Sequence, residues 1–399
     1  MKNPDQPAVL GGEAVFGPAL PMASPRLPDP DKLLPKFREI LETGQLTKGR
    51  ALETFENSAA EYLGVKHCIG VSSCTSGLML CLQQLKRKIK PTQSHKIAVP
   101  SFTFMASITA LIWAGLEPVF VEVEPESMNI CLDDLRTVLS SEKLAGILPV
   151  HCFGNPIATT EIESLSNEFG TSLIFDAAHG FGSTHQEKKL GNGGWAEVFS
   201  LTPTKIIVAG EGGLIATQDP DLAKALKTGR EYGNDGNYDT VFPGINARLS
   251  ELHATLACGS LAMVEEIVAE RNRSAQSMMK ALEDIPGLSF QKITPESRTT
   301  YKDFTLQVDP ERFGLSRDQL AQALLLEGIP SRKYFSPPCH RHQAFQSFSN
   351  RPLPQTDRVA QRCLSLPLLN RDDSSEGIGR AFRKLHENSQ KIQTALCSS

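Results

Sequence analysis

Apolar and polar positions alternate along the first half of the chain in a way that predicts strands and helices in turn. The strand-like runs are 96–100, 119–122, 146–150 and 172–175, and the helix-like stretches lie near 104–115, 131–141 and 158–169. Strands that alternate with helices favour a mainly parallel sheet covered by helices on both faces. We therefore predict an α/β fold, in which a ligand would bind beyond the carboxyl ends of the strands.

The two ends of the chain depart from this alternation. Proline and glycine are dense through about residue 30, which is typical of an irregular arm. A long helical stretch over 250–285 leads into a second, shorter α/β pattern that includes a strand at 304–308. We predict an N-terminal arm over 1–30, a large domain over 31–285 and a small C-terminal domain over 286–399.

Composition and charge exclude several classes of function. The 399-residue chain is 40% hydrophobic, 22% charged and has a net charge of −4, without the long basic block typical of nucleic-acid binding. No apolar run is long enough to span a bilayer, and none at the N-terminus has the form of a signal peptide. Nine cysteines without a C-x-x-C pair, and nine histidines without ligand spacing, argue against disulfides and metal. We expect a cytoplasmic protein that binds no metal, nucleic acid or membrane.

The segment with the most informative chemistry surrounds Lys205. Hydroxyl residues including Ser200 precede this lysine, and the glycine-rich turn Gly210-Glu-Gly-Gly213 follows it. A lysine in this setting can form a Schiff base with an aldehyde cofactor while hydroxyl and backbone groups hold a phosphate, and pyridoxal phosphate is such a cofactor. Taken alone, the segment is equally compatible with a surface lysine after a strand.

Two further segments supply the parts that such a cofactor needs. Asp176 ends an apolar strand-like run, where an acid can pair with the pyridine nitrogen of pyridoxal phosphate and keep it protonated. Upstream, Ser73 to Gly77 open an apolar-periodic helix, and a helix N-terminus favours a phosphate. For both segments the alternative is a helix cap without a ligand.

Taken in order, these segments resemble those of the DegT-type nucleotide-sugar aminotransferases, a fold type I family that depends on pyridoxal phosphate. The resemblance covers nearly the whole chain and rests on Gly44–Arg50, Ser73–Thr75, Pro100–Phe104, Glu117–Glu122, Pro149–Pro156, Asp176–His179, Ser200–Gly213, Gly244–Arg248 and Tyr334–His340. It implies a large domain with a mainly parallel seven-stranded sheet, a smaller α/β domain and a homodimer with shared active sites.

The resemblance also implies a role for each matching residue. Lys205 would carry the cofactor and move the proton, and Asp176 would pair with the ring nitrogen. The other implied cofactor contacts are His179 at the ring or its 3′ oxygen, Phe104 on the ring face, Thr75, Ser76 and Ser200 at the phosphate, and Asn246 at the phosphate from the partner subunit. Cys74 stands where the family usually has glycine, so the turn there is either ordinary in conformation or strained.

The implied activity is transfer of an amino group from an amino acid, L-glutamate, to a nucleotide-linked keto-deoxysugar, in polysaccharide or antibiotic biosynthesis. Lys205 argues for amino transfer, because a dehydratase branch of the family has histidine at this position. The alternatives are another reaction on this fold, such as sugar dehydration or amination of a cyclitol-like ketone, and a non-catalytic regulatory homologue. Tyr334, His340 and Arg248 are candidate substrate contacts, and Arg230 is a second candidate for the donor's carboxylate.

Overall fold

The computed structural model describes residues 3–369 and 372–397, in which strands and helices alternate. The strands are β1 (His67–Val71), β2 (Lys96–Pro100), β3 (Glu117–Val121), β4 (Gly146–Ile147), β5 (Ser172–Asp176), β6 (Thr184–His185), β7 (Lys188–Lys189), β8 (Ala196–Ser200), β9 (Gly213–Thr217), β10 (Leu288–Phe290), β11 (Ser297–Arg298), β12 (Phe304–Val308) and β13 (Cys363–Leu366). The helices are α1 (Pro30–Thr43), α2 (Arg50–Leu63), α3 (Cys74–Lys88), α4 (Met105–Trp113), α5 (Leu132–Ser141), α6 (Thr159–Phe169), α7 (Pro220–Gly229), α8 (Glu251–Leu261), α9 (Val264–Leu282), α10 (Pro310–Phe313), α11 (Arg317–Leu326), α12 (Pro354–Arg362), α13 (Asp372–Glu387) and α14 (Ser389–Cys397).

A seven-stranded sheet forms the centre of the larger part of the chain, in the order β1-β9-β8-β5-β4-β2-β3. The four pairs from β8 to β3 are parallel, whereas β9 runs antiparallel to both of its neighbours. The prediction of a mainly parallel seven-stranded sheet is therefore confirmed. Asp176 at the end of β5 and Ser200 at the end of β8 consequently reach the same edge of the sheet.

Apolar side chains cover both faces of this sheet. Along β1, Ile69 and Val71 pack into a cluster with α3, α4 and α7, whereas Cys68 packs into another cluster with α2, α8 and α9. Successive strand residues point to opposite faces, so these two clusters lie on either side of the sheet. A parallel sheet requires such cover because its strands are apolar on both faces.

Two elements differ from their sequence-based prediction. The run 146–150 is a strand only over Gly146–Ile147, because Pro149 has no N–H to donate to the neighbouring strand. The helical stretch predicted over 250–285 is two helices, α8 and α9, that meet at 59°. No single helix in the described ranges is long and apolar enough to cross a membrane, although this bent pair is when counted together.

The small C-terminal part has its own antiparallel sheet, β10-β12-β13, and its own apolar cluster. Arm residue Leu20 and the second half of α9 also pack into this cluster. The carboxylate of Glu327, fully buried after α11, accepts hydrogen bonds from the backbone N–H groups of Ala8 (2.8 Å) and Val15 (3.0 Å). It also pairs with Lys384 of α13 at 2.8 Å, so residues 8–15 are fastened to the C-terminal part of the chain.

Candidate active site

Asp176 is a buried carboxylate at the carboxyl edge of the large sheet. Its Oδ2 accepts a hydrogen bond from Ser107 Oγ at 2.7 Å, and its Oδ1 accepts one from the backbone N–H of Ala178 at 3.1 Å. Burial raises the pKa of Asp176 above its ordinary value, and the two hydrogen bonds oppose this rise. Because a cation at hydrogen-bond distance would stabilise the buried charge, the site fits the protonated ring nitrogen of pyridoxal phosphate.

Helix α4 connects Asp176 to Phe104. Ser107 lies in the first turn of α4, and its backbone N–H donates to the carbonyl of Phe104 at 3.2 Å. The Phe104 side chain is 50% exposed although it is a large apolar group, so its ring is free to lie against a bound molecule. Sequence reasoning missed Ser107, although its position three residues after Phe104 on a predicted helix could have revealed it.

The N-terminus of α3 lies beside the end of β8. Ser73 caps this helix: its Oγ accepts from the N–H of Ser76, and Ser76 Oγ accepts from the N–H of Ser73, both at 3.0 Å. Gly213 pairs with Val71 on one side and Ser200 on the other, so Ser200 is brought near this N-terminus. A Cβ on Gly213 would stand 2.6 Å from the backbone nitrogen of Cys74, so only glycine allows β9 to pass so close.

This arrangement gives the predicted phosphate-binding residues a common location. Thr75 is half-buried and Ser76 is buried in the first turn of α3, and Ser200 Oγ lies 3.3 Å from Thr202 Oγ1. The helix is therefore capped by its own serines, as in the alternative interpretation, and it also offers its positive end to this edge of the sheet. The two roles are compatible.

Cys74 is the first residue of α3 and has no positive φ, so the turn is ordinary rather than strained. Its thiol is buried, with Sγ 3.6 Å from the carbonyl oxygen of Val198. Burial raises the pKa of Cys74 well above its ordinary value, so the thiol stays protonated. Cysteine at this position is thus a packing group under the cofactor edge of the sheet.

Lys205 lies in the turn after β8, where its backbone N–H donates to the carbonyl of Thr202 at 3.0 Å. The pKa of Lys205 is lowered to about 8, mainly by burial and also by the nearby Lys302, whereas Asp303 opposes the change. A larger share of its amine is therefore neutral near physiological pH than for an ordinary lysine. A neutral amine is the form that reacts with an aldehyde or accepts a proton.

His179 lies in the turn that follows β5, three residues after Asp176, and presents an unsatisfied nitrogen. Its ring stacks on that of Phe153 with centroids 6.2 Å apart, and its Nδ1 is buried without a hydrogen-bond partner. Burial lowers the pKa of His179 well below its ordinary value, with Lys205 and Lys302 acting in the same direction. A buried polar atom without a partner fits a hydrogen bond to a bound group.

A cavity of about 560 Å³ opens beside Lys205. Its walls come from the arm residues Pro21–Arg26, from α9 and from the small domain. The polar side chains of this wall that were not identified from the sequence include Arg271, Lys302, Asp303 and Arg332. Lys302 and Asp303 are both buried and form an ion pair at 2.8 Å, which places two opposite charges within reach of Lys205.

Asn246 and the two arginines predicted near the donor lie elsewhere on the chain. Asn246 is exposed, and Arg248 pairs with Glu231 at 3.0 Å beside a second cavity of about 870 Å³. Arg230 is buried and donates to Glu56 at 2.5 Å and to the carbonyl of Gly70 at 2.7 Å. These contacts engage Nη1 and pair the Arg230 charge with a buried carboxylate, so Arg230 is a structural cation, although its Nε is buried without a partner.

The predicted substrate contacts Tyr334 and His340 differ in their surroundings. The Tyr334 hydroxyl accepts a hydrogen bond from Arg332 Nη1 at 2.9 Å, and its ring centroid is 5.9 Å from Lys302 Nζ. His340 is buried, with Nδ1 2.7 Å from Ser101 Oγ and Nε2 3.2 Å from Asp357. Within the described part of the chain, no group of three or more His, Cys, Asp or Glu side chains could hold a metal ion.

Comparison with known proteins agrees with this geometry. The profile of the DegT/DnrJ/EryC1/StrS aminotransferase family matches residues 30–377. The erythromycin biosynthesis sensory transduction protein EryC1 of Saccharopolyspora erythraea is 31% identical over 335 residues, which are 83% of this chain and 88% of that protein. The dTDP-4-amino-4,6-dideoxy-D-glucose transaminase of Escherichia coli is 28% identical over 356 residues, or 88% and 93% of the two chains.

Solved structures extend the likeness to the whole fold. DesI, crystallised in the presence of its TDP-sugar product, aligns with a TM-score of 0.89 and 29% identity over 98% of this chain and 99% of that one. DesV of S. venezuelae, in complex with a ketimine intermediate, aligns with a TM-score of 0.80 and 27% identity over 92% and 99%. With a match over most of its length, this chain belongs to the DegT/DnrJ/EryC1/StrS aminotransferase family, whose members depend on pyridoxal phosphate.

Proposed function

We propose that this enzyme transfers the amino group of L-glutamate to a nucleotide-linked keto-deoxysugar. Membership of the family makes it an aminotransferase that uses pyridoxal phosphate. The names of its relatives support the sugar acceptor, since one is a dTDP-aminosugar transaminase and another was crystallised with a TDP-sugar product. The observation that carries the proposal is that a buried Asp176 and a Lys205 of lowered pKa lie near enough, at one edge of the sheet, for each charge to affect the other.

The residues at this edge divide the work of holding the cofactor. Asp176 would face the ring nitrogen, Phe104 would lie on the ring, and His179 Nδ1 would meet a ring oxygen. Thr75, Ser76 and Ser200 would surround the phosphate at the positive end of α3. When bound, pyridoxal phosphate supplies an aldehyde that takes up amino groups and a protonated ring that withdraws electrons from the reacting carbon.

Lys205 supplies the proton transfer in this proposal. Its amine reaches the cavity from the turn after β8, and its lowered pKa leaves it able to accept a proton from the Cα of the donor. The same Nζ then returns the proton on the way to the second half of the reaction. The ion pair of Lys302 with Asp303 fixes two charges nearby without adding net charge to the cavity.

The site is proposed to be completed by a second copy of the chain. Asn246 is exposed outside the Lys205 cavity, and we propose that it reaches the phosphate bound by the partner subunit. Arg248, two residues later, would act in the same way on the substrate. Of the other predicted substrate contacts, Tyr334 has the stronger support because it touches Arg332 on the cavity wall, and His340 would act by holding the loop that carries Tyr334.

Relatives also suggest a biological setting for the proposed reaction. The spore coat polysaccharide biosynthesis protein SpsC of Bacillus subtilis is 28% identical over 365 residues, which are 87% of this chain and 92% of that protein. Together with EryC1, it supports a role in making amino sugars for a polysaccharide or an antibiotic. We propose a cytoplasmic location, where nucleotide sugars are made.

The test is transfer of labelled nitrogen. The protein reconstituted with pyridoxal phosphate should show a visible absorption band that borohydride abolishes. With L-[¹⁵N]glutamate and a panel of nucleotide-linked 4-keto- and 3-keto-deoxyhexoses, it should give 2-oxoglutarate and a ¹⁵N-labelled amino sugar. Lys205→Ala should lose the band and reduce the rate by about 10⁴-fold or more, because the same amine both holds the cofactor and moves the proton.

The alternatives give different products in the same assay. A dehydrated sugar without ¹⁵N would indicate the dehydratase reaction, and labelling of cyclitol ketones alone would move the acceptor to that class. A wild-type protein that binds pyridoxal phosphate but turns over no ketone would indicate a regulatory homologue. Circular dichroism of Lys205→Ala, equal to that of the wild type, would show that its loss of activity is chemical.

A further inference from the structure

The basic side chains around the Lys205 cavity differ in whether other groups of the protein already bind them. Besides Lys205 they are Arg26, Arg271, Lys302 and Arg332. Arg26 is neutralised by two carboxylates of α9, at 2.8 Å from Glu266 and 2.6 Å from Glu270. This arginine therefore serves to attach the arm to the large domain.

The next two cations are also engaged. Arg271 is half-buried and donates to the backbone carbonyls of Thr300, Tyr301 and Lys302 at 2.5–3.2 Å, so it serves to hold that loop. The ammonium of Lys302 pairs with Asp303 at 2.8 Å. Carboxylates therefore balance the charges of Arg26 and Lys302, and backbone carbonyls occupy the guanidinium of Arg271.

Arg332 is different, because in the described part of the chain neither a carboxylate nor a backbone carbonyl accepts a hydrogen bond from its guanidinium. Its one side-chain hydrogen bond is from Nη1 to the hydroxyl of Tyr334, a neutral group, at 2.9 Å. The residue is half-buried, and none of its nitrogens is both buried and unpaired, so the remaining donors are open to the cavity. A guanidinium in this state is prepared for an anion that the protein itself does not supply.

The backbone holds Arg332 firmly in this position. Its N–H donates to the carbonyl of Ser365 at 2.9 Å, and its own carbonyl accepts from the N–H of Ser365 at 2.8 Å. Ser365 is part of β13 and is tied to Thr305 of β12 by a 2.7 Å contact between their hydroxyls. A group carried on a sheet is positioned more exactly than one on a free loop, as a binding site requires.

We propose that Arg332 binds the α-carboxylate of the amino-group donor, an inference that rests on the proposed function. The donor's carboxylate is attached to the same carbon as the amino group that reacts beside Lys205, so it must lie within this cavity. The acceptor's diphosphate is separated from its reacting carbon by the sugar ring and lies further out. The planar guanidinium fits a carboxylate through two parallel hydrogen bonds, and the Tyr334 hydroxyl keeps its plane in place.

The experiment pairs a change in the protein with a matched change in the donor. Glutamate is compared with isoglutamine, in which an amide replaces the α-carboxylate, in the wild type, Arg332→Gln and Arg332→Lys. Wild type should prefer glutamate by about 10- to 100-fold in kcat/KM, as expected for loss of a charged hydrogen-bonded pair. In Arg332→Gln this preference should nearly vanish, and Arg332→Lys should keep only part of it because lysine cannot bind through two parallel bonds.

A binding measurement separates this proposal from the proposed function. Calorimetric titration of the holoenzyme with glutarate, which has no amine to transfer, should show binding that Arg332→Gln weakens about 10- to 100-fold. Arg136→Gln, which removes an exposed surface arginine paired with Glu168, should bind glutarate like the wild type. Binding of the nucleotide sugar should be unchanged in both variants.

The outcomes that overturn the proposal are distinct. If Arg332→Gln keeps the preference for glutamate over isoglutamine, Arg332 does not meet the α-carboxylate. If the variant instead raises KM for the nucleotide sugar and leaves the donor unaffected, Arg332 binds the diphosphate. If Arg332→Gln does not fold, equal use of glutamate and isoglutamine by the wild type would still refute the proposal. Failure of the wild type to use any amino donor, with glutarate binding intact, would count against the proposed function and not against Arg332.

Discussion

The site residues predicted from the sequence lie in two regions of the chain, which differ in burial and in the surface that they face. Around the carboxyl edge of the large sheet, Asp176 is buried and His179 and Lys205 are half-buried. Asp176 accepts a hydrogen bond from Ser107, and the ring of His179 stacks on that of Phe153. Asn246 and Arg248 lie on the extended segment that pairs with the end of β1, but their side chains face a different surface. Between them Ala247 is buried, with its carbonyl accepting from the N–H of Ser72 at 2.8 Å.

The contrast teaches that the chain gathers some of the predicted cofactor residues at one edge of the sheet and leaves others exposed elsewhere. In the first region the groups that remain for a ligand include the carboxylate of Asp176, the amine of Lys205 and Nδ1 of His179, which is buried without a hydrogen-bond partner. In the second region Asn246 is exposed, and so are two tyrosines, Tyr232 at 51% and Tyr238 at 98%. Such exposure is what a segment reaching into a second subunit would have in an isolated chain.

The largest effect that separates the regions is expected from Asp176→Asn. The substitution keeps the shape of the side chain but removes the charge that would hold a protonated ring nitrogen, so kcat should fall about 10²- to 10³-fold. Steady-state transfer from glutamate measures the loss, and Asp284→Asn, at an exposed pair with Arg383, serves as the control. A kcat within twofold of the wild type would refute the assignment of Asp176 as the electrostatic partner of the ring.

The second prediction tests whether Asn246 acts across a dimer. A mixture of Asn246→Ala and Lys205→Ala protomers should recover activity toward about one quarter of the wild type, because half of the dimers are hybrids with one intact site. Mixing Lys205→Ala with Asp176→Asn is the control, since both residues belong to the same subunit's part of the site and no hybrid is intact. Equal activity in the two mixtures, with hybrid dimers confirmed by mass spectrometry, would place Asn246 outside the site.

The smallest effect concerns the charges beside Lys205. In the cofactor-free protein, labelling of Lys205 by acetic anhydride should rise with pH with a midpoint at about 8, because only the neutral amine reacts. Lys302→Met removes a like charge and should move the curve to higher pH, whereas Asp303→Asn removes an opposite charge and should move it lower. Peptide mass spectrometry gives the labelled fraction, and identical curves for all three proteins would contradict electrostatic coupling within the cavity.

The meeting of Asp176 and Ser200 at one edge of the sheet could be predicted from the sequence because the signals for it are local. Asp176 and Ser200 end strands, and the ends of neighbouring parallel strands meet at one edge whatever the rest of the fold does. Ser73 and Ser76 likewise follow from capping rules within a single turn. Each of these residues therefore carries its structural context within a short window of the chain.

The cavity wall could not be predicted because its parts are distant in sequence and ordinary in type. Lys302 and Arg332 lie in separate loops of the small domain, and their approach to Lys205 depends on how that domain packs against α9.

The break between α8 and α9 also depends on tertiary packing, and the sequence therefore did not predict it. It lies at Ala262 and Met263, which are good helix formers, so tertiary packing rather than local preference ends the helix there.

The fastening of the arm by Glu327 has a consequence for the order in which the enzyme is made on the ribosome. The segment Pro21–Arg26 is synthesised before Glu327 and Lys384, which hold the chain just before it. Arg26 can pair with α9 as soon as that helix has been made, whereas residues 8–15 can be held only after α11 and α13 have been made.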